Sequence, residues 1–246
     1  MAKRRPSTDQ STPIETTIHA WDWKIIADSI SAKGYARLPK IFPASLCHQL
    51  ISLYPENTRF RSRIVMEQYQ FGLGEYSYFA YPLPDIVNTL RQVLYPHLAP
   101  LANHMVETMG GKATYPKTLS QFLKTCHAQG QVRPTPLMLR YETGGFNCLH
   151  RDLYGPTVFP LQAMVMLSQQ GKDFEGGEFV LMENRPRQQS RAMVLNPNRG
   201  DLIIFPVSER PVQGKRGTLR ATMRHGVSPI QSGHRWTLGI IFHDAQ

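Results

Sequence analysis

Cysteine is scarce in this chain, and its three copies lie far apart, at Cys47, Cys126 and Cys148. An odd number of cysteines without any C-x-x-C pair argues against a disulfide framework and against a structural zinc site. The same pattern is typical of proteins that work in a reducing compartment. We therefore expect a cytoplasmic location.

Long apolar runs are missing as well. No stretch approaches the roughly 20 residues that a membrane helix needs, so we expect no membrane partner. The basic start is not followed by the apolar segment of a signal peptide, and residues 1–20 are predicted to form a disordered basic tail. Residues 21–246 show no internal repeat and are predicted to form one domain, of unknown oligomeric state.

Acidic residues are fewer than basic ones. The chain has 28 Lys or Arg against 18 Asp or Glu, which gives a formal net charge of +10. Nine basic residues and only two acidic ones lie in the basic block, residues 185–224. Such a concentrated positive field favours a polyanionic partner, most commonly nucleic acid. A basic surface that only aids solubility would explain the charge equally well.

The two halves of the chain differ in hydrophobic pattern. Residues 21–130 are predicted to be mainly helical, with helices that end at Gly34, begin near Pro43, run over 85–109 with interruptions at Pro96 and Pro100, and cover 118–127. Residues 131–246 contain short β-rich runs separated by Gly, Pro and Asn turns. This pattern predicts an α+β fold: an antiparallel jelly roll covered on one face by a helical layer.

The run NCLHRDL allows two interpretations of His150, Arg151 and Asp152. H-R-D-L opens the catalytic loop of protein kinases, but the asparagine that kinases need is replaced by Thr157, and the β-rich surroundings are wrong for a kinase lobe. H-x-D is instead part of a 2-His-1-carboxylate metal site. On a strand, His150 and Asp152 would share one face while Arg151 points away.

A third metal ligand must come from a later strand. His225 is the best candidate, because Arg235 follows it at the spacing of a further site residue. His234 and His243 are weaker candidates, since neither has a suitably spaced basic residue beyond it. We therefore predict that His150, Asp152 and His225 bind a metal ion.

The order of these motifs resembles that of a known superfamily. The segments LRYETGGFNCLHRD and RHGVSPIQSGHRWTLGIIF resemble iron(II)- and 2-oxoglutarate-dependent oxygenases, in the layout of the prolyl-hydroxylase-like branch. Longer segments, among them FGLGEYSYFAYPLP and GGEFVLMENRPRQQSR, resemble a bacterial family assigned by prediction to oxidative demethylation of damaged nucleic-acid bases. The resemblance runs from about Trp21 to Asp244. It implies a double-stranded β-helix core in residues 131–246, with residues 21–130 as the helical part.

The resemblance also implies ligands and roles. The three predicted metal ligands would hold Fe(II), with 2-oxoglutarate and O2 as co-substrates and ascorbate as a supporting reductant. Arg235 would bind the far carboxylate of 2-oxoglutarate through its guanidinium, and Thr237 and Tyr141 would add hydroxyl contacts. Relatives often supply a second tyrosine from the strand after H-x-D. This chain has AMVMLS there, and Gln162 is a poorly supported substitute.

Residues 60–84 interleave arginines with aromatic residues, and Gly72 and Gly74 favour a loop. Aromatic rings stack on bases and arginines pair with phosphates, so we predict that this segment is a lid over a nucleotide. Any one of these rings, taken alone, is better explained as part of the core. The residues predicted to bind substrate, here and in the basic block, are Arg61, Arg63, Tyr76, Tyr78, Arg187 and Arg191.

We therefore expect an Fe(II)- and 2-oxoglutarate-dependent dioxygenase that demethylates alkylated nucleic-acid bases. Two alternatives stay open. A protein hydroxylase of the prolyl type would use the same chemistry, and an acidic protein target would also favour a basic rim. A non-catalytic nucleic-acid-binding protein would retain only the shape of the barrel, and the complete set of predicted ligands argues against it.

Overall fold

A computed structural model describes residues 11–215 and 217–246. Within them the helices lie in the first half of the chain: α1 (Ser11–His19), α2 (Trp23–Lys33), α3 (Ala44–Ser52), α4 (Asp85–Thr108) and α5 (Leu119–Ala128). Two short 3-10 helices cover Asn57–Arg59 and Met66–Tyr69. No helix in this part of the chain is both long enough and apolar enough to cross a bilayer.

The strands, numbered in chain order, are β1 (Ala36–Leu38), β2 (Phe60–Val65), β3 (Gly72–Leu73), β4 (Glu75–Phe79), β5 (Leu137–Tyr141), β6 (Phe146–His150), β7 (Leu161–Met166), β8 (Phe174–Gly176), β9 (Phe179–Asn184), β10 (Arg191–Leu195), β11 (Leu202–Pro206), β12 (Glu209–Gly214), β13 (Gly217–Val227), β14 (Ile230–Gly233) and β15 (Arg235–Ile240). One antiparallel sheet has the order β1-β11-β7-β15-β5-β4-β2. A second has the order β10-β9-β13-β6-β3, with β12 beside β13, and β14 pairs with β8.

Strand β7 shows how the layers stack. Leu161, Ala163 and Val165 belong to the core between the larger sheet and the helices, whereas Met164 and Met166 belong to the core between the two sheets. Successive side chains of a strand point to opposite faces, so β7 is buried on both sides. The two antiparallel sheets with helices on one face confirm the predicted α+β jelly roll and its helical layer.

Helix α2 begins and ends where the sequence indicates. The carboxylate of Asp22 accepts hydrogen bonds from the backbone N–H groups of Lys24 and Ile25 and caps the first turn. Gly34 adopts a left-handed conformation, with φ of 82°, and closes the last turn. The predicted end of this helix at Gly34 is therefore confirmed.

Helix α4 differs from its prediction. Interruptions were expected at Pro96 and Pro100, but the helix runs without a break through both prolines. A proline in a helix interior costs about 3 kcal/mol. Here Leu90, Leu94 and Leu98 are fully buried on the face that packs on the larger sheet, and this burial outweighs the local penalty.

The predicted disordered tail is wrong for part of its length. Residues 11–19 form α1, in which Ile14 and Ile18 are buried in the main core. Two isoleucines one helical turn apart make an apolar stripe that the basic start of the chain obscured. Residues 1–10 lie outside the described residues. The single-domain organisation of residues 21–246 stays a prediction.

The predicted lid in residues 60–84 is mostly sheet, with the 3-10 helix Met66–Tyr69 between its strands. Strand β2 pairs with β4, and β4 pairs with β5, which extends the larger sheet. In the sequence Gly72 favours a loop, but a glycine inside a strand can also mark a close approach of two backbones. A Cβ at Gly72 would lie 2.3 Å from the carbonyl oxygen of Phe146 on the paired strand β6.

Candidate metal centre

The structure brings the three predicted metal ligands together. His150 ends β6, and His225 lies directly opposite it in the β13–β6 register. Asp152 Oδ1 lies 3.5 Å from His150 Nε2, and Asp152 Oδ2 lies 3.3 Å from His225 Nε2. One ligand atom of each residue lies within 4.8 Å of the other two. Two imidazoles and one carboxylate at this spacing can hold one metal ion.

Asp152 reaches the site by a route that the sequence analysis did not foresee. Strand β6 ends at His150, so Asp152 lies in the segment after the strand and not on a shared strand face. The guanidinium of Arg151 binds outside the metal ligands, on a residue that does not line the cavity. Arg151 is exposed at the rim of the cavity, and its guanidinium lies 3.3 Å from the hydroxyl of that residue, Ser208.

The imidazole of His150 is oriented by the backbone. Its Nδ1 lies 2.8 Å from the carbonyl oxygen of Cys148, so we assign the proton to Nδ1 and the lone pair to Nε2. His225 Nδ1 is buried and has no partner among the described residues. His225 Nε2 faces Asp152 and lies 3.3 Å from the side-chain nitrogen of Gln162. Both Nε2 atoms therefore face the same point.

The protonation states suit a divalent cation. Burial opposes ionisation of Asp152, but the charge of His225 and hydrogen bonds from both imidazoles outweigh it and hold the pKa of that carboxyl well below its usual range. Burial and the neighbouring His150 lower the pKa of His225. For His150, burial is outweighed by the hydrogen bond to Asp152, which raises its pKa, so a metal ion competes there with a proton.

Asp152 has a partner that the sequence analysis missed. The phenol of Tyr154 donates a hydrogen bond to Asp152 Oδ1 at 2.6 Å. The ring of Tyr154 lies between Tyr78 and His243, with centroid distances of 6.1 and 5.9 Å. His243, a weaker metal candidate, is buried and accepts a hydrogen bond from the backbone N–H of Phe159. The spacing H-x-D-x-Y places Tyr154 two residues after Asp152, but the spacing alone does not predict this hydrogen bond.

A cavity of about 400 Å³ opens on the metal ligands. Alternation along β15 directs Arg235 and Thr237 into this cavity, while Trp236 and Leu238 pack on the helical side. Tyr141 of β5 lies opposite Arg235 in the strand register and lines the same cavity. The predicted co-substrate residues and the predicted metal ligands therefore share one space.

Arg235 is a buried cation that forms no salt bridge with the described residues, although the charge of Glu178 acts on it from a greater distance. Arg235 is 1% exposed, and its Nε and Nη2 atoms have no hydrogen-bond partner among the described residues. The rings of Tyr141 and Phe174 lie 5.6 and 6.0 Å from its Cζ and offer weak cation–π contacts. Burial lowers the pKa of the guanidinium to about 10, so it stays charged at neutral pH. A buried charge of this kind fits a carboxylate ligand.

The hydroxyl of Tyr141 is oriented by Asn147, which the sequence analysis did not single out. The Asn147 amide donates to the Tyr141 oxygen at 3.1 Å, so the phenol proton can be donated to a ligand in the cavity. Burial raises the pKa of Tyr141 and keeps that proton in place. Thr237 is buried in the same wall. Gln162 also lines the cavity, with its side-chain nitrogen near His225 and its Oε1 without a partner among the described residues.

Of the six residues predicted to bind substrate, Tyr76 is the one that lines the cavity. Arg61 stacks on Tyr78, with Cζ 4.4 Å from the ring centroid, and donates to the carbonyl of Pro134. Arg63 stacks on another buried tyrosine and donates to its carbonyl oxygen. Both arginines and Tyr78 therefore stabilise β2 and β4, and the substrate contacts predicted for them do not fit these positions.

The basic block is largely paired within the chain. Glu183, which lies just before it, is buried and accepts hydrogen bonds from Arg185, Arg191 and Arg210. Arg187 is exposed in the turn between β9 and β10. Neither Arg187 nor Arg191 lines the cavity, so their predicted contacts with the substrate at the site are not supported by their positions.

Sequence comparison finds one described family and two close relatives. The profile of an oxygenase family described as catalysing oxidative methylation of damaged DNA matches residues 74–245. Two proteins of Mycobacterium tuberculosis, from strains CDC 1551 / Oshkosh and H37Rv, are both named as uncharacterised. Each is 46% identical over 169 residues, which cover 69% of this chain and 72% of the relative. The residues matched by the profile include all the predicted metal and co-substrate residues.

Several solved structures share the fold. A prolyl-4-hydroxylase of Pseudomonas putida superposes with a TM-score of 0.53 at 14% identity, over 88% of this chain and 96% of that one. A prolyl 4-hydroxylase of Phytophthora capsici gives 0.52 at 15%, over 97% and 66%. The non-heme, α-ketoglutarate-dependent epimerase SnoN from nogalamycin biosynthesis gives 0.53 at 12%, over 88% and 80%. At these identities the likeness concerns the fold alone.

Proposed function

The chain belongs to the oxygenase family described as catalysing oxidative methylation of damaged DNA, and from this premise we propose that it is an Fe(II)- and 2-oxoglutarate-dependent dioxygenase that demethylates alkylated nucleic-acid bases. An oxygenase inserts oxygen into a C–H bond. Hydroxylation of an N-methyl carbon gives a hemiaminal, which releases formaldehyde and leaves the bare nitrogen. Oxidation in this way removes a methyl group, so we write the reaction as demethylation.

The observation that supports this proposal most strongly is the pairing of two features in one cavity. Two imidazoles and a carboxylate converge there, and Arg235 lies in the same cavity with its Nε and Nη2 atoms unpaired among the described residues. A 2-His-1-carboxylate set suits Fe(II) and leaves coordination positions open for other ligands. Arg235, Tyr141 and Thr237 can bind a carboxylate that reaches them from the metal side. The residues present thus fit both groups.

The chain's own residues would bind the metal ion and the co-substrate, hold the ligand side chains in orientation and keep water out of the cavity. When bound, iron and 2-oxoglutarate supply the activation of O2 and the oxidation of the C–H bond, with release of CO2 and succinate. The backbone carbonyl of Cys148 and the phenol of Tyr154 fix two of the metal ligands. Apolar side chains of Leu139, Met164 and Phe179 line the cavity and limit the entry of water.

A spectroscopic titration tests the oxygenase part of the proposal. Without O2, Fe(II) and 2-oxoglutarate should give the weak visible charge-transfer band of their chelate in the wild type. A His150→Ala/Asp152→Ala protein should lack the band. His234→Ala is a matched control, because His234 is an exposed imidazole outside the three metal ligands. Absence of both the band and 2-oxoglutarate turnover in the wild type would exclude an enzyme of this class.

A substrate screen tests the nucleic-acid part. We expect formaldehyde from N-methylated single-stranded DNA or RNA and no hydroxylation of proline-containing peptides. The fold is shared with prolyl hydroxylases, but at 14 and 15% identity this likeness says nothing about the substrate. Peptide hydroxylation without formaldehyde release would replace the proposed substrate by a protein and leave the oxygenase chemistry intact.

A further inference from the structure

Two stacked aromatic side chains stand exposed beside the metal cavity. Tyr69 is 53% exposed and Phe71 is 47% exposed, and their rings lie 5.5 Å apart with an interplanar angle of 20°. Phe71 and the intervening Gln70 line the cavity that holds the metal ligands. Large exposed apolar groups next to a ligand cavity are typical of a binding surface. We call this pair the Tyr69–Phe71 platform.

The platform is held in place by the backbone. Tyr69 ends a 3-10 helix, Gln70 takes a left-handed conformation with φ of 59°, and the N–H of Phe71 donates to the carbonyl of Met66 at 3.0 Å. The carbonyl of Phe71 accepts a hydrogen bond of 2.8 Å from the N–H of Cys148, on the same strand as His150. A surface fixed before binding loses little conformational entropy when a ligand docks.

The cavity wall beside the platform is mainly apolar and carries one exposed cation, while the exposed Glu67 lies on the 3-10 helix that ends at Tyr69. Leu149 is 39% exposed and lines the cavity together with the exposed Arg151. Among the described lining residues Asp152 is the one acidic side chain, and it faces the metal site. With a net charge of +10 on the chain, these features favour a polyanion that also carries flat apolar groups. Nucleic acid has both properties, in its phosphates and its bases.

We propose that the Tyr69–Phe71 platform stacks on an unpaired base beside the base that is oxidised, and so directs the enzyme to single-stranded nucleic acid. This inference rests on the proposed function and adds to it the form of the substrate. In a duplex, neighbouring base pairs cover both faces of every base. A protein ring therefore stacks on an unpaired or flipped-out base at little cost, whereas stacking inside a duplex first requires two base pairs to be separated.

Binding of a fluorescein-labelled oligodeoxynucleotide that carries one N-methylated base tests the proposal by anisotropy, as a single strand and as a duplex. Tyr69→Ala/Phe71→Ala should weaken single-strand binding by roughly tenfold to a hundredfold, since stacking on one aromatic ring contributes about 1–3 kcal/mol per base. Tyr69→Phe/Phe71→Tyr should keep wild-type affinity. Ile25→Ala is the matched control, because Ile25 is an exposed apolar residue, 65% exposed, on α2.

The chelate band of Fe(II) and 2-oxoglutarate, recorded for the same proteins, separates the two proposals. If all the proteins show the band and the alanine variant keeps its single-strand affinity, the proposed role of the platform is wrong. The proposed function then stays intact. No band in the wild type would overturn the proposed function whatever the binding result. Equal loss of duplex and single-strand binding would overturn the preference for unpaired bases. The same measurement with a labelled proline-containing peptide covers a protein target. If the alanine variant loses peptide binding and keeps oligonucleotide binding, the platform binds a protein and the proposal is wrong.

Discussion

Replacing Arg235 by methionine should stabilise the ligand-free protein and abolish its response to 2-oxoglutarate. Burial lowers the pKa of the guanidinium from 12.5 to about 10, which corresponds to a cost of about 3 kcal/mol for keeping the charge in the folded protein. The folded pKa of this base is lowered, so the unfolded chain holds the proton more tightly. The cost is fully present at every pH below the folded value, including neutral pH. Methionine fills a similar length without a charge.

The magnitude of each effect follows from these contacts. Cation–π contacts with Tyr141 and Phe174 offset part of the cost, by roughly 1 kcal/mol, so the variant should gain roughly 1–2 kcal/mol. For a chain of this size, that gain raises the melting temperature by about 2–8 °C. Two hydrogen bonds from a guanidinium to a carboxylate contribute roughly 1.5–3 kcal/mol each, so their loss should weaken 2-oxoglutarate binding by about a hundredfold or more.

Thermal unfolding with anaerobic Fe(II), in the presence and absence of 2-oxoglutarate, measures both effects. Ligand at about 100 times its Kd should stabilise the wild type by about 2.7 kcal/mol. Arg140→Met is the matched control, because Arg140 lies on β5, pairs with Glu75 and does not line the cavity. This control should keep the full response to 2-oxoglutarate. A less stable ligand-free Arg235→Met protein, or one that still responds to 2-oxoglutarate, would refute the reasoning.

Three further outcomes are expected. Tyr154→Phe removes the hydrogen bond to Asp152 and should weaken Fe(II) binding by about 10- to 100-fold in calorimetry, and an unchanged affinity would contradict that role. Glu183→Gln should cost about 3–5 kcal/mol at neutral pH in urea unfolding, because Arg210 then stays buried without a counter-charge. Burial opposes ionisation of Glu183, but the hydrogen bond from Arg185 and the charge of Arg210 outweigh it and lower its pKa. Its stabilisation is therefore complete above the usual carboxyl pKa and is lost as pH falls through the lowered value, so the two unfolding curves should converge in acid, and a difference that persists there would count against this pairing. Single-stranded DNA affinity should fall as salt rises, because the net charge of +10 attracts the phosphates, and an affinity independent of salt would contradict this.

The grouping of the candidate metal ligands could be predicted because it depends on local patterns and strand pairing. H-x-D in a β-rich half, followed by a histidine and then an arginine at a fixed spacing, predicts one site formed by His150, Asp152, His225 and Arg235. The periodicity of a strand also places Thr237 on the same face as Arg235. Their convergence in one cavity agrees with that prediction, while their roles stay proposals.

Other features depend on contacts that no spacing reveals. Glu183 lies just before the basic block, and the sequence does not show that its carboxylate pairs with three of the arginines counted as free charge. Aromatic residues in 60–84 were weighed as a group, although exposure separates Tyr69 and Phe71 from the buried Tyr78. The prolines of α4 predicted a break that burial against the sheet overrides. In each case a tertiary contact decided against the local signal.

The charges around the cavity explain why one dicarboxylate can neutralise both the metal site and Arg235. A divalent metal ion held by the ionised Asp152 and two neutral imidazoles leaves one excess positive charge, and Arg235 adds a second. Buried charges that are not balanced are costly, and no acidic side chain other than Asp152 lines the cavity among the described residues. A dicarboxylate with one end on the metal and the other on Arg235 brings the sum to zero. A monocarboxylate would leave one end uncompensated. We therefore expect dicarboxylates with a 2-keto group to bind much more tightly than their monocarboxylate analogues in competition against the chelate band, and equal affinity would show that Arg235 does not act as the counter-charge.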